Sequence, residues 1–139
     1  MSIFISMKLL ELYLESINIP FKNKCKITIK NIKGKKIIVD CEIPTTEEEK
    51  MQGLMYRENL CDNCGMFFEK VEGGFWMKNV NFPLEMIFIK NNKIVDIKNA
   101  LPNDETIIVP SVDSDSNLEV KNGFCESNNI SIGDEVYKS

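Results

Sequence analysis

The sequence predicts an α+β, mainly β, domain: a small antiparallel sandwich or partly closed barrel with short marginal helices and an extra N-terminal helix. Three observations carry this. From Lys26 onward, apolar residues recur at period two in short runs broken by turn residues. Longer helical spacing is confined to the N-terminus and the stretch after Thr46. The chain has 139 residues, 43% of them hydrophobic, so it is one domain able to build a core without disulfide or metal staples.

The elements follow in order. Ile3, Met7, Leu10, Leu14 and Ile17 recur at spacings of four and three, widened by Phe4, Leu9, Leu12 and Tyr13, and Pro20 ends the pattern. Residues 1–22 are therefore an amphipathic helical extension, and 23–139 a single β-rich domain. Such a helix must bury its stripe on its own domain, on a copy of itself or on a partner. Ile27 and Ile29 alternate with Lys26, Thr28 and Lys30; after a turn over residues 31–34, Ile37, Val39, Cys41 and Ile43 alternate with Asp40 and Glu42. This is a hairpin with one wet face. Thr46 and Glu49 form a capping box for a short helix whose buried stripe is expected to be Met51, Leu54 and Met55. Strands are expected at 65–69, 74–78, 85–90, 93–98, 106–109, 117–121 and 135–138, with a helical turn within 122–128. Asn91-Asn92 suits a tight hairpin, because Asn tolerates positive φ.

Composition narrows the chemistry. The chain contains no histidine, which excludes Ser-His-Asp and Cys-His nucleophiles and His-ligated metal. An enzyme here would have to use carboxylates, Lys, Tyr or Cys. The net charge of −4 argues against a general polyanion binder. Lys22, Lys24, Lys26, Lys30, Lys33, Lys35 and Lys36 fall in one stretch without interleaved aromatic residues, so they read as a lysine-protected sheet edge rather than a nucleic-acid surface. Five cysteines, an odd number, read as reduced thiols in a cytoplasmic setting. The N-terminal apolar stretch has no basic n-region and is broken by Lys8, Glu11 and Glu15, so neither a signal peptide nor a membrane span is expected.

Four local features compete for function. Cys61-Asp62-Asn63-Cys64 has the spacing of a zinc or redox pair, but no histidine or second close cysteine pair completes a metal site. Two packed or exposed thiols, with no metal and no obligatory disulfide, is the expected state. Asp113 to Asn117 resembles the opening of a calcium loop, but Leu118 and Phe124 stand where glycine and a bidentate glutamate are needed, leaving a solvated acidic turn. Glu47, Glu48 and Glu49 are explained by the helix N-terminus. Phe75-Trp76-Met77-Lys78-Asn79 holds the only tryptophan. Exposed, Trp76 would form a binding site with Lys78 and Asn79. A lone Trp in a strand more often packs in a core, and burial is the expectation, with Glu85 as a candidate partner for Lys78.

The order of motifs is similar to that of the domain of unknown function 192 family. The resemblance rests on Thr46 to Lys50 with Gly53 to Glu58, Gly65 to Phe68, Phe75 to Asn79, Pro83 to Ile89, Leu118 to Val120 with Gly123, and Ile132 to Val136. It implies a small β-rich sandwich or barrel with short helices and carries no catalytic residues to transfer. Many members have Pro-Cys after the central hairpin; here it is Pro102-Asn103.

The leading expectation is a non-catalytic binding or assembly module without a cofactor, cytoplasmic, or in a virion if phage-encoded. Its partner would be a protein, or a second copy, engaged through Met7, Leu10 and Leu14 of the helix or through the Trp76 region. The alternatives are an enzyme built on carboxylates and Lys78, and a thiol or zinc protein using Cys61 and Cys64.

Overall fold

Alternating side chains give seven strands: β1 (Lys24–Lys30), β2 (Lys36–Glu42), β3 (Cys64–Phe68), β4 (Leu84–Lys90), β5 (Lys93–Ala100), β6 (Ser116–Lys121) and β7 (Glu135–Lys138). Among the described residues two short helices accompany them, α1 (Glu47–Gln52) and α2 (Phe124–Ser127). The computed structural model describes residues 20–70 and 73–139, together with Lys8, Leu9 and Leu12. Apart from those three positions, the expected N-terminal helix, with Met7, Leu10 and Leu14, lies outside the described residues. Among the described residues no helix is long and apolar enough to cross a membrane.

The strands form one sheet in the order β1-β2-β3-β6-β4-β5-β7, and the order closes on itself as a barrel. The join is narrow: β7 pairs with β1 over four residues but meets β5 through the single pair Lys93–Glu135. This corrects the reading of the lysine stretch as a sheet edge. β1 has β2 on one side and the C-terminal strand on the other, so Lys24, Lys26 and Lys30 occupy its wet face. Lys26 pairs there with Asp40 across the hairpin.

Inside the barrel, Ile27, Ile29, Val39, Ile87, Leu118 and Val120 are almost completely buried. Gly65 faces this space. A Cβ at that position would meet the Glu119 carbonyl oxygen at 2.9 Å and the Leu118 and Val39 side chains at 3.0 Å, so only glycine lets β3 approach β6 so closely. α2 closes one end with Phe124 and Cys125. Glu85 reaches its start and accepts hydrogen bonds from the backbone N–H of Gly123 (3.1 Å) and Cys125 (2.9 Å). Glu85 therefore serves the helix rather than Lys78, contrary to the sequence expectation.

β4 is buried along both faces, because a second core lies outside the barrel. Its inner residues Ile87 and Ile89 face the barrel, whereas Leu84, Met86 and Phe88 belong to the outer cluster with Met66, Phe68 and Met77. The cover comes from the connections. β2 and β3 run parallel, so the chain between them must cross over, and it carries α1 and residues 53–63 with it. The segments after β3 and β5 complete the layer. The strands expected at 74–78 and 106–109 are reduced to one bridge, Phe75–Ile108. A Cβ at Gly74 would collide with Ile107 at 2.4 Å, and the chain turns away at Asn79 in a left-handed conformation.

At the β4–β5 hairpin, Asn91 and Asn92 both take positive φ, 51° and 61°, as the tight turn requires.

Candidate functional site

The outer face of β3, β6 and β4 sets the floor of a site. Leu118 and Val120 of β6 point into the barrel, so Asn117 and Glu119 point out. Strand register puts Glu119 between Met66 and Met86, and Asn117 between Phe68 and Phe88. Two polar side chains thus lie in a row of methionine and phenylalanine, beneath the outer cover. Asn117 is fully buried, and neither its Nδ2 nor its Oδ1 has a hydrogen-bond partner. Glu119 is 5% exposed, and among the described residues its carboxyl has no hydrogen-bond or ionic partner. Burial alone pushes its pKa up to about 8, so the carboxyl is mostly protonated at neutral pH.

α1 supplies one wall. Thr46 accepts the backbone N–H of Glu49, and the Glu49 carboxylate returns the bond to the Thr46 N–H, forming the expected capping box. Gly53 ends the helix with φ 49°. The turn that follows buries Leu54 and Met55 but leaves Met51, expected in the core, half exposed at the mouth. Gln52 is buried in its place, with its Nε2 unpartnered. A six-residue helix ended by a left-handed glycine does not continue the 3.6-residue stripe, which explains the exchange.

The opposite wall is the segment 74–77. Phe75 packs edge-on to Phe68, with ring centroids 5.1 Å apart. Met77 is fully buried, whereas Trp76 is 37% exposed. Burial of Trp76 was the expectation; the segment is not a strand, and it is Met77 that enters the core. The Lys78 ammonium lies 5.4 Å from the centroid of the Trp76 ring. Asn79 donates through Nδ2 to the Tyr56 hydroxyl and ties this wall to the segment after α1. Arg57 holds that segment to the barrel through two 2.9 Å bonds to Glu42. Burial would raise the pKa of Glu42, but Arg57 and the Phe21 N–H outweigh it and hold it below the usual range.

Between these walls is a pocket of about 550 Å³, lined by Gln52, Leu54, Phe68, Trp76, Met77 and Glu119 among others. Lys50, Glu47, Glu69 and Lys70 stand at its mouth and are largely exposed. Of the sequence candidates, Trp76 lines the pocket, whereas Lys78 and Asn79 lie outside its lining, Lys78 beside the Trp76 ring and Asn79 bonded to Tyr56. Sequence reasoning missed Gln52, Asn117 and Glu119. The available signal was the alternation of Asn117 and Glu119 with Leu118 and Val120, which reads as a wet face unless another layer covers it.

The other candidates lie elsewhere. Cys61 and Cys64 form a disulfide, correcting the expectation of free thiols. The Cys64 N–H bonds the Cys61 carbonyl in a tight turn, which brings the Cα atoms to 5.0 Å, within disulfide range. Cys25, Cys41 and Cys125 are free, and burial raises the pKa of each. Asp113 pairs with Lys90, and Asp115 accepts from the Asn91 N–H. Among the described residues no group of three or more acidic or cysteine side chains is placed to hold a metal.

Comparison with known proteins agrees with this architecture. The sequence profile of DUF192, described as Uncharacterized ACR, matches residues 28–137. The chain belongs to the DUF192 family. A crystal structure of a protein from Sinorhizobium meliloti, provisionally named a transcription regulator, is 28% identical with a TM-score of 0.80 and covers 88% of this chain and 98% of its own. A protein of unknown function from Novosphingobium aromaticivorans is also 28% identical, with a TM-score of 0.76, covering 89% of this chain and 95% of its own. No curated protein matches the chain. The DUF192 match begins within β1, so residues 1–27 lie outside it.

Proposed function

We propose that this DUF192 chain is a non-catalytic binding domain that takes a small, mostly apolar ligand in the pocket above Glu119. One observation carries the reading. The pocket is walled by aromatic and methionine side chains, and a buried carboxyl without a partner forms part of its floor. Beside it, Gln52 Nε2 and both side-chain polar atoms of Asn117 are buried without a hydrogen-bond partner, at about 1–3 kcal/mol for each such group, a cost that a stability role does not explain. Apolar walls with a few placed polar groups are the usual form of a small-molecule site.

An acid catalyst would draw on the same carboxyl, since a carboxylic acid protonated near neutrality can donate a proton. That reading lacks a second group. Among the described residues the other ionisable side chains of the pocket are Glu47, Lys50, Glu69 and Lys70 at the solvent-exposed mouth, and the chain has no histidine. The binding reading needs none.

Trp76 is the only tryptophan and lines the pocket, so its fluorescence reports occupancy directly. Neutral and charged aromatic fragments titrated to millimolar concentration should change Trp76 emission saturably and appear as 1:1 adducts in native mass spectrometry. Fragments should displace one another, and Glu119→Leu should weaken them. Absence of any saturable adduct would remove the reading.

A further inference from the structure

We propose, resting on the pocket reading above, that the ligand carries a cationic amine on an apolar body and that Glu119 is its counter-ion. The argument is one of charge inventory. Among the described residues, Glu119 is the only ionisable side chain at the floor of the pocket, and nothing pairs with it. The cationic side chains of the pocket, Lys50 and Lys70, are at the mouth and exposed, so none reaches down to the carboxyl. The floor offers no cation to an anionic ligand, which could be held there only while Glu119 keeps its proton and donates it in a hydrogen bond. An ammonium group supplies the missing partner and makes a charge-assisted bond, stronger than a neutral carboxylic acid makes with a neutral acceptor.

The walls favour the same chemistry. Phe68, Phe75 and Trp76 present aromatic rings around the space, and a cation is attracted to ring faces. The Trp76 ring already has the Lys78 ammonium 5.4 Å from its centroid, so the ligand's ammonium belongs at Glu119, away from that ring, with Phe68 and Phe75 as the available aromatic faces. Leu54, Met55 and Met77 provide an apolar surface for the rest of the molecule. Because burial raises the Glu119 pKa to about 8, the carboxyl holds a proton at neutral pH that an ammonium ligand must displace. Binding of the cation and release of a proton are then linked. Affinity rises with pH up to the pKa of Glu119 and levels off above it. A neutral ligand that accepts a hydrogen bond from the protonated carboxyl has the opposite dependence.

Three probes of similar size separate these cases on the full chain: benzylamine, benzyl alcohol and benzoate. Calorimetry and Trp76 fluorescence would be recorded from pH 6 to 8, where benzylamine remains cationic. Benzylammonium should bind at least tenfold tighter than benzyl alcohol at pH 7 and gain up to about tenfold per pH unit. Varying the buffer ionisation enthalpy should show release of about one proton per ligand at pH 7, given a carboxyl pKa near 8. Glu119→Gln keeps the shape but not the charge and should erase the preference for benzylammonium without weakening benzyl alcohol. Should that variant melt early, Glu119→Met, matching the flanking Met66 and Met86, serves the same purpose. If benzyl alcohol or benzoate binds as tightly as benzylammonium, or if affinity for benzylammonium falls as pH rises, the amine assignment is wrong while the pocket stands. If none of the three binds at millimolar concentration, the pocket reading itself is wrong.

Discussion

Tyr56 and Asn79 are joined by two hydrogen bonds, and both adopt the left-handed backbone conformation. The Tyr56 N–H donates to the Asn79 carbonyl at 2.9 Å, and Asn79 Nδ2 donates to the Tyr56 hydroxyl at 2.9 Å. Their φ angles are 63° and 61°. Left-handed backbone is costly for most residues but tolerated by Asn. The pair fastens the segment after α1 to the segment bearing Trp76.

Replacing Asn79 separates its two roles. Asn79→Gly loses the side-chain bond but keeps an easy left-handed backbone. Asn79→Ala loses both and should cost about 1–3 kcal/mol, more than the glycine variant. Tyr56→Phe should cost about 1 kcal/mol. Urea unfolding monitored by circular dichroism gives the order, and an alanine variant as stable as the glycine variant would show that the backbone conformation is not under strain.

Trp76 and Met77 make a second contrast, because their burial is the reverse of what a strand tryptophan suggests. Met77→Ala should cost about 2–5 kcal/mol, as a fully buried methionine does. Trp76→Ala, at a ring about one-third exposed, should cost less than Met77→Ala and weaken ligand binding. A large stability loss in the tryptophan variant, comparable to that of Met77→Ala, would put Trp76 back in the core.

Local chemistry explains which parts of this fold were legible from sequence. The capping box at Thr46 and Glu49, the paired asparagines of the β4–β5 turn and the alternating β1–β2 hairpin each depend on neighbours a few residues apart. All three form as read. Long-range layering was not legible. Nothing near Asn117 or Glu119 announces that α1 and residues 74–80 cover them, and an alternating polar residue normally faces water. The pairing of β1 with β7 spans nearly the whole domain, so the lysines of β1 looked like edge protection. Trp76 failed for a related reason: Gly74 lies against Ile107 and Ile108, and the chain turns away at Asn79 after one bridge.

The Cys61–Cys64 disulfide closes a turn already held by the Cys64 N–H bond to the Cys61 carbonyl. A loop this short restricts the unfolded chain only modestly. The double variant Cys61→Ser, Cys64→Ser should therefore fold and lose about 2 kcal/mol or less. Thermal melts of oxidised, reduced and double-variant protein should fall within a narrow range. Failure of the variant to fold, with zinc in the wild-type preparation, would show that the two sulfurs hold a metal.

Glu119 also sets the pH dependence of stability. Its folded pKa of about 8 lies above the ordinary carboxyl value of 4.5, so between those values the folded protein holds a proton that the unfolded chain releases. Its contribution is complete below pH 4.5 and is lost as pH rises towards 8, at a rate of order 1 kcal/mol per pH unit. Glu42 acts in the other direction. Its pKa is held below the usual value, so its contribution is present above pH 4.5 and lost as pH falls through its folded pKa. Stability should therefore decline on both sides of a mildly acidic optimum. Glu119→Gln removes the titrating group. Between pH 5 and 8 its stability should change less than that of the wild type, with the difference moving steadily in favour of the variant as pH rises. Parallel curves for the two proteins across this range would show that the carboxyl is ionised in the folded state, and that the pocket floor is not the dry environment its burial indicates.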